Sequence, residues 1–569
     1  MHIKKLIFSH ILEKSPIIAI VCFPSLAFAL GGTESMDRPS MRPLPEPPAA
    51  VEKPRPNFQL PIVPENDIEL TGGHRQLHIS RIEFIGNTLL DEQVLHELAQ
   101  SYENKIVTVS ELETLRQRIT QIYVDNGYIN SGAILTEDAL NDGVLSFTIL
   151  EGHLEEIVVH GQEWLREGYI SNRLLGNAEQ PLNLQQLQDR FQMLLSDPLI
   201  SQMNGRILPG SSPGKSILDV DVTRAQPYQL SLLGNNQRPP SIGAEAFGVN
   251  GWVRNLTGLG DMVDFTYYNS AGSNRYTGGL SLPITDQDTQ VFFHFDEGDS
   301  SVQEQPIRKI NVTSQVHSLE GGISHPFINT SRQKLNFGTL LAIRENQTYL
   351  DGKPFSFVTG DATGHTQATV VRTFQDYIQR WDNHALSLRS TFSLGINALG
   401  ATIGKNNKAQ DSEFFTWLGQ AQYAYRVDED GSQVVLRGNS QLSNDVLLPL
   451  ERISIGGMGT VRGYRENQLV RDEGYNLSVE YRYPVLGGST SVMDSLMHLN
   501  LVPFIDYGSA WNKGEKQDDL LSAGAGFDFD WKQLHTEFYY GYAIYQPTQK
   551  QQSDLQDMGI HFKARLDVF

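Results

Sequence analysis

The C-terminal part of the chain, from Pro227 to Phe569, alternates apolar and polar residues with a period of two. Gly, Asn and Asp mark the turns between the alternating runs. This period is typical of β-strands, because successive side chains of a strand point to opposite faces of the sheet. At ~20 residues for each strand with its turn, the segment predicts about 16 antiparallel strands.

The two faces of these strands predict a transmembrane β-barrel. Leu, Val and Phe cover one face, with Tyr and Trp toward its ends, and Ser, Asn, Asp, Glu and Arg cover the other. That division suits lipid outside and water inside a barrel. A soluble β-sandwich also alternates, but the length of this block and its many aromatic positions favour the barrel. About 16 strands enclose a lumen wide enough to hold water.

Residues 76–225 follow a different pattern, in which strand-like and helix-like segments alternate. We interpret Ser110-Glu111-Leu112-Glu113 as a capping box that begins a helix. Apolar residues at helical spacing follow it, and the same spacing returns about 72 residues later. These two sets are Leu112, Leu115, Ile119 and Ile122, and then Leu184, Leu187, Phe191 and Leu194. The repeat predicts two tandem β-α-α-β-β domains, at residues 76–152 and 153–225; one larger α/β domain is the alternative.

The first 75 residues predict an export signal and a linker. A basic start, an apolar stretch and a small-x-small pattern ending at Ala29 predict a signal peptide at residues 1–29. Residues 30–75 are rich in proline, which predicts an extended linker. The only cysteine, Cys22, lies within the predicted signal, so the mature chain would contain no thiol, which suits an oxidising compartment.

Charge and motifs exclude several functions. The formal net charge is −21 and no Lys/Arg cluster occurs, which argues against binding of nucleic acid. His96-Glu97 lacks the second histidine of a zinc-protease motif. Ser211 and Ser212 lie outside any Gly-x-Ser-x-Gly sequence, and no phosphate-binding Gly-x-x-x-x-Gly-Lys loop occurs. We therefore expect no enzyme, no cofactor and no metal site.

Two short motifs in the predicted barrel, at residues 226–569, contain the candidate site. The first lies in a glycine-rich loop and contains Val461, Arg462, Gly463 and Tyr464. The second contains Phe504, Asp506 and Gly508, which are two residues apart and therefore share one face of a strand. The intervening residues are apolar and suit lipid, so Asp506 is expected to face the lumen.

This organisation resembles one family, the two-partner secretion transporters (TpsB, the ShlB/FhaC/HecB haemolysin secretion/activation type). The family belongs to the superfamily that contains the barrel-assembly protein BamA. Segments within residues 81–88, 123–128 and 142–152 resemble its POTRA (polypeptide-transport-associated) domains, and residues 255–261 resemble its early barrel strands. Val-Arg-Gly-Tyr and Phe-x-Asp-x-Gly match its two barrel signatures.

The resemblance implies an outer-membrane pore with POTRA-like domains in the periplasm. Such a pore recognises an exported partner protein and translocates it, unfolded, to the cell surface by two-partner (type V) secretion. The implied partner is a large exported protein, such as a β-helical adhesin or a haemolysin, and the implied surroundings are outer-membrane lipid around a monomer. A factor that inserts other barrels, and a passive solute porin or receptor, are the alternative functions.

The resemblance also implies that the glycine-rich loop folds back into the lumen. Arg462 could then meet Asp506, because a planar guanidinium matches a carboxylate with two parallel hydrogen bonds. We expect this lock pair to fix the conformation of the loop and, with it, the state of the pore.

Overall fold

The computed structural model describes Leu44, residues 58–59 and residues 76–569, apart from seven gaps. The gaps are residues 136–138, 177–179, 306, 357–362, 405–409, 487–496 and 547–553. The predicted signal peptide and nearly all of the predicted linker therefore lie outside the described residues. The chain forms two compact units, one of residues 53–226 and one that contains residues 227–569. Among the described residues, no helix has the length and apolar character needed to cross a membrane.

The smaller unit contains four α-helices and ten strands within its described residues. In chain order they are β1 (Phe58–Gln59), β2 (Gln76–Ile79), β3 (Arg81–Ile85), α1 (Glu92–Ala99), β4 (Lys105–Thr108), α2 (Val109–Asp125), β5 (Gly132–Ile134), β6 (Leu140–Asn141), β7 (Val144–Leu150), β8 (His153–His160), α3 (Gly168–Leu175), α4 (Leu184–Leu195), β9 (Ile200–Pro209) and β10 (Lys215–Arg224). A 3₁₀ turn, Gln100–Tyr102, extends α1.

The first domain packs α1 and α2 against a sheet of order β3-β7-β5, while β2 and β4 form a separate pair. The alternation that begins at Leu77 predicts one strand ending at Gly86-Asn87, but the structure has two strands, β2 and β3, separated at Ser80. The predicted capping box is also wrong by two positions, because β4 continues to Thr108 and Ser110 lies inside the first turn of α2. Thr108 is the N-cap: its hydroxyl accepts the N–H of Glu111, whose carboxylate accepts the N–H of Thr108.

The core of this domain is apolar and includes the face of α2 that the sequence predicts. Leu112, Leu115 and Ile119 are fully buried there, and Tyr123 takes the place expected for Ile122. The Tyr123 hydroxyl donates to Asn87 Oδ1 at 2.6 Å, which satisfies its polar end.

The second domain repeats this plan with a sheet of order β1-β9-β10-β8. Strand β10 is antiparallel to β9 and parallel to β8. α3 and α4 cover one face, where Phe191 is fully buried. Two residues of the predicted linker, β1, pair in parallel with the outer edge of β9. Asn183, the N-cap of α4, also donates to the carbonyl of Asn126 at 3.1 Å and so links the two domains.

The larger unit is a closed antiparallel barrel of 16 strands, which confirms the predicted fold. The elements are β11 (Tyr228–Asn235), β12 (Ala246–Arg254), β13 (Met262–Ser270), β14 (Ser273–Pro283), β15 (Gln290–Ser301), β16 (Val312–Asn329), β17 (Gln333–Leu350), β18 (Lys353–Pro354), β19 (His365–Arg380), β20 (His384–Gly395), β21 (Phe415–Arg426), β22 (Gln433–Ser443), β23 (Ile453–Ile455), β24 (Leu469–Arg471), β25 (Glu473–Leu486), β26 (Met497–Trp511), β27 (Asp518–Trp531), β28 (Leu534–Ala543) and β29 (Ile560–Asp567). β18 is a two-residue addition to β17, and β23–β24 is a hairpin inside a loop. The barrel closes where β29 pairs with β11.

The strands of the barrel place their two faces as the alternation predicts. On β26, Leu501 and Ile505 are 48% and 57% exposed on the outside, whereas Phe504 and Asp506 are buried inside. Because the outer face is apolar and the inner face carries charged residues, the interior can hold polar contacts that a lipid-facing surface could not.

Candidate functional site

The loop between β22 and β25, residues 444–472, folds into the barrel; we call it the pore loop. Asp472, which is fully buried, joins the two ends of the loop. It accepts hydrogen bonds from the N–H of Leu447 at 3.1 Å and from Nε of Arg452 at 3.0 Å. The β23–β24 hairpin forms its stalk. The glycine-rich motif lies beyond the stalk, so the loop carries Arg462 at its tip.

The tip arginine meets the aspartate of the wall motif. Arg462 Nε donates to Asp506 Oδ2 and Nη2 donates to Oδ1, both at 2.8 Å. The backbone N–H of Arg462 donates to Oδ2 as well, at 3.0 Å. Arg462 is 3% exposed and Asp506 is fully buried. The carboxylate therefore fixes both the side chain and the backbone of the loop tip.

Strand β25 completes the surroundings of the guanidinium. Arg462 Nη1 donates to Glu480 Oε1 at 2.7 Å, and Nη2 donates to Ser478 Oγ at 3.0 Å. The Ser478 hydroxyl in turn donates to Asp506 Oδ1 at 2.6 Å. The register places Ser478 opposite Asp506, so neighbouring strands present their polar atoms at one level of the lumen. We call Arg462 with Asp506, Glu480 and Ser478 the tip lock.

Aromatic rings cover the guanidinium. Its central carbon lies 3.7 Å from the ring centroid of Phe504 and 4.9 Å from that of Tyr539. Such contacts favour a cation, and favour it more strongly where water is excluded. A lysine at this position could not both form the parallel pair of hydrogen bonds and lie flat against a ring.

The spacing of the wall motif now has a physical reason at each position. Phe504 stacks on the guanidinium, and Asp506 binds its edge. At Gly508 an added Cβ would lie 2.5 Å from a methyl carbon of Ile455 and 2.8 Å from one of Val461. The glycine therefore leaves the space that the loop side chains occupy.

The last two residues of the loop motif contact the far strands of the barrel. Gly463 has a φ of +88°, and an added Cβ would lie 2.7 Å from the carbonyl oxygen of Gly541. Its N–H donates to His561 Nε2 at 3.0 Å. The hydroxyl of Tyr464 lies 2.6 Å from the carbonyl oxygen of Tyr545 and accepts the N–H of Leu521 at 3.1 Å. The motif is thus held by backbone groups as well as by the lock.

Just beyond the motif, Arg465 links the pore loop to two other loops. It pairs with Asp557, between β28 and β29, at 2.5 Å and with Glu304, between β15 and β16, at 2.9 Å. The sequence gives no sign of this contact, because the three residues lie far apart along the chain.

The sequence predicts some of the lock but not all of it. The structure brings Arg462 and Asp506 together and places Phe504 and Gly508 beside the loop. Alternation also assigns Ser478 and Glu480 to the polar face of their strand. Their contact with Arg462 depends on the register between β25 and β26, which has no sequence signal. His561 is missed for the same reason.

Comparison with known proteins identifies the family. The profile of the family described as haemolysin secretion/activation protein ShlB/FhaC/HecB matches residues 214–529, more than half of the chain. The chain belongs to this family. The profile of the ShlB-type POTRA domain matches residues 77–152, the first periplasmic domain.

Individual relatives agree with this assignment. The outer membrane transporter CdiB of Dickeya dadantii is 24% identical over 78% of each chain. The hemolysin transporter protein HpmB of Proteus mirabilis is 22% identical over 84% of each. Among solved structures, CdiB from Escherichia coli superimposes with a TM-score of 0.68 and 21% identity, covering 89% of this chain and 93% of that one.

The chain is therefore an outer-membrane transporter of two-partner secretion, which translocates a partner protein across the outer membrane. Its POTRA domains lie in the periplasm, so β11 begins at the periplasmic face of the membrane. Strand directions alternate from there, and β22, the eleventh barrel strand, ends at the cell surface. The pore loop thus enters the lumen from the extracellular side.

Proposed function

We propose that the tip lock holds the pore loop in the lumen and thereby sets the state of the pore during secretion. The observation that carries this proposal is the buried pairing of Arg462 with both oxygens of Asp506. In a dry pair, removal of one partner leaves the other charge without compensation, which typically costs ~3–5 kcal/mol. The loop would therefore occupy one defined position until the pair is broken as a unit.

An Arg462→Ala variant tests the lock. We expect secretion of the partner to be abolished, because the loop tip loses its contacts with β25 and β26, while the barrel still assembles. Secretion is measured as partner protein at the cell surface or in the medium, and assembly as the heat-dependent shift of the folded barrel on gels.

Arg389→Ala is the matched control for this test. Arg389 pairs with Asp376 across β19 and β20 at 2.6 Å and belongs to the barrel wall rather than to the pore loop. It should secrete normally. Normal secretion by Arg462→Ala would remove the lock from the mechanism.

We infer that the partner protein is first recognised by addition of a strand to a periplasmic sheet. The edge strands of the first sheet already donate backbone N–H groups to side chains of the same domain. Ile82 on β3 donates to Glu103 Oε1 at 2.8 Å, and Ala133 on β5 donates to Thr120 Oγ1 at 3.1 Å. β1 covers β9. Strand β8 forms the opposite edge of the second sheet, and β10 is its only partner among the described strands. An extended segment could pair with its other side.

Photo-crosslinking distinguishes this edge from the rest of the domain. A photoreactive residue at Glu156, exposed on β8, should crosslink to the partner during secretion. The same residue at Asp189, exposed on α4, should not. Equal crosslinking from both positions, or none from Glu156, would contradict recognition at β8.

The partner itself is proposed from its class. Relatives are named as transporters of hemolysin and of heme/hemopexin. We propose that this chain exports a large protein of the haemolysin or β-helical adhesin kind, and that it acts as a monomer surrounded by outer-membrane lipid. Closure of the barrel within one chain supports the monomer. Loss of one exported protein from the cell surface upon deletion of this transporter would identify the partner.

A further inference from the structure

The pore loop also carries a buried charge at its base, away from the tip. Glu451 lies at the base of the loop, two residues before β23, and is 2% exposed. Arg372 Nη2 donates to its two carboxylate oxygens at 2.8 and 2.6 Å. Arg344 Nη1 donates to Glu451 Oε1 at 3.1 Å and to the carbonyl of Leu450 at 2.8 Å. Glu451, Arg344 and Arg372 lie outside both the Val-Arg-Gly-Tyr motif and the Phe-x-Asp-x-Gly motif.

The wall at this point is built to receive the loop. Arg344 and Arg372 lie on neighbouring strands, β17 and β19, and are 3% and 2% exposed. Glu320 on β16 lies 3.6 Å from Arg372 Nη1. With Glu451 the set contains two positive and two negative charges, so it is neutral only when the loop is in place. Without Glu451, the two buried arginines would lose the carboxylate that both of them contact. Removal of one partner from a buried ion pair is strongly destabilising.

An apolar contact accompanies the charges. Leu447 and Leu448 of the pore loop are buried against lumen-facing apolar residues of β17 and β19. These wall residues are Leu340, Ala342, Ala368 and Val370. Apolar side chains on the inner face of a hydrated barrel are costly unless something covers them. The base of the loop is what covers them here.

We propose that Leu447, Leu448 and Glu451 of the pore loop, with Arg344 and Arg372 of the wall, form a base anchor that holds the loop independently of the tip lock. The two attachments use separate parts of the wall, because β20, β21 and β22 lie between β19 and β25. When the tip lock opens, the base anchor keeps the loop attached, so the tip swings about a fixed point. The inference extends the proposed gating role of the loop, but attachment is measured separately from secretion.

Cysteine reactivity tests the two attachments one at a time. The only natural cysteine, Cys22, is first replaced by serine, and Leu448→Cys or Val461→Cys then reports on the base or on the tip; both positions are buried. Labelling by a membrane-impermeant maleimide is measured on intact cells. Glu451→Gln should raise the labelling rate of Leu448→Cys by about tenfold or more and leave Val461→Cys protected. Arg462→Ala should do the reverse.

Asp376→Asn is the matched control, because it neutralises a carboxylate on the same strand as Arg372 that pairs with Arg389 on the wall. It should leave both cysteines protected. The proposal is overturned if Glu451→Gln leaves Leu448→Cys protected, if Arg462→Ala exposes both positions together, or if the control exposes Leu448→Cys. Should Glu451→Gln fail to assemble, Arg372→Met removes the other half of the anchor and is expected to give the same labelling. Normal secretion by Arg462→Ala would refute gating, whereas labelling would still decide the anchor.

Discussion

The pore loop and the periplasmic domains are both held by buried side chains, but the loop adds buried charges to its apolar contacts. At the tip, Arg462 of the loop pairs with Asp506 and Glu480 of the wall. At the base, Glu451 of the loop pairs with two arginines of the wall. The two domains are fixed by apolar cores in which leucine, isoleucine, valine and phenylalanine predominate. Apolar cores tolerate changes that keep volume, because their contacts have little directionality. Buried charges require particular partners at particular positions.

This difference separates two tasks within one chain. A contact made of charges holds one geometry while it is dry, and water can satisfy both partners once it enters. The loop can therefore be firmly placed and still be released as a unit. An apolar core gains nothing from water and stays closed. Under the proposed lock, the domains are a stable platform and the loop is the part of the transporter that we expect to change position.

The largest expected effect comes from a single methyl group at the loop tip. Gly463→Ala adds a Cβ at a φ of +88° and places it against the carbonyl oxygen of Gly541. Both the strain and the clash displace the tip, so we expect secretion to be lost although Arg462 remains present. Secretion of the partner is the measurement.

Gly459→Ala is the control for this variant, because an added Cβ there has no neighbouring atom within 4 Å. It should secrete normally. Normal secretion by Gly463→Ala, at the level of Gly459→Ala, would mean that secretion does not need this geometry of the loop tip. The contrast between the loop and the domains would then have no functional meaning.

The second effect concerns the apolar side of the comparison. Phe191→Ala leaves a cavity in the core of the second domain, where Phe191 is fully buried, and should lower the free energy of unfolding by ~3–5 kcal/mol. Thermal unfolding of the purified transporter measures this loss. Secretion should persist at temperatures below the new midpoint, since the tip lock is unchanged. Loss of secretion at low temperature, with the domain still folded, would contradict the view that this apolar core contributes stability and not the action of the pore loop.

The features that can be predicted from the sequence also differ between the fold and the site. Alternation predicts the barrel and its lumen face, and helical spacing predicts both POTRA domains, because each follows from the local period of apolar residues. Arg462 and Asp506 are found because both belong to short motifs. Glu480, His561 and Glu451 are not found, because their partners depend on strand register and on the path of a loop. Neither is encoded in a local pattern.

Local patterns can also mislead by a few residues. Thr108-Val109-Ser110-Glu111 and Ser110-Glu111-Leu112-Glu113 both fit a capping box, and the choice between them depends on where the preceding strand ends. Strand β4 continues to Thr108 because it pairs with β2. That pairing is a tertiary contact, and it decides the start of α2.

The smallest expected effect separates these two interpretations of α2. Thr108→Ala removes the N-cap and should cost ~0.5–2 kcal/mol of stability, whereas Ser110→Ala, inside the first turn, should change almost nothing.

Hydrogen bonds from the backbone and side chain of Thr108 also lower the pKa of Glu111. The stabilisation from Glu111 is therefore present above the ordinary pKa of a glutamate and is lost as the pH falls through the lowered value. Thermal unfolding at neutral and acidic pH should show a difference between Thr108→Ala and the unchanged chain that narrows in acid. A larger loss from Ser110→Ala than from Thr108→Ala would restore the cap that the sequence alone predicts.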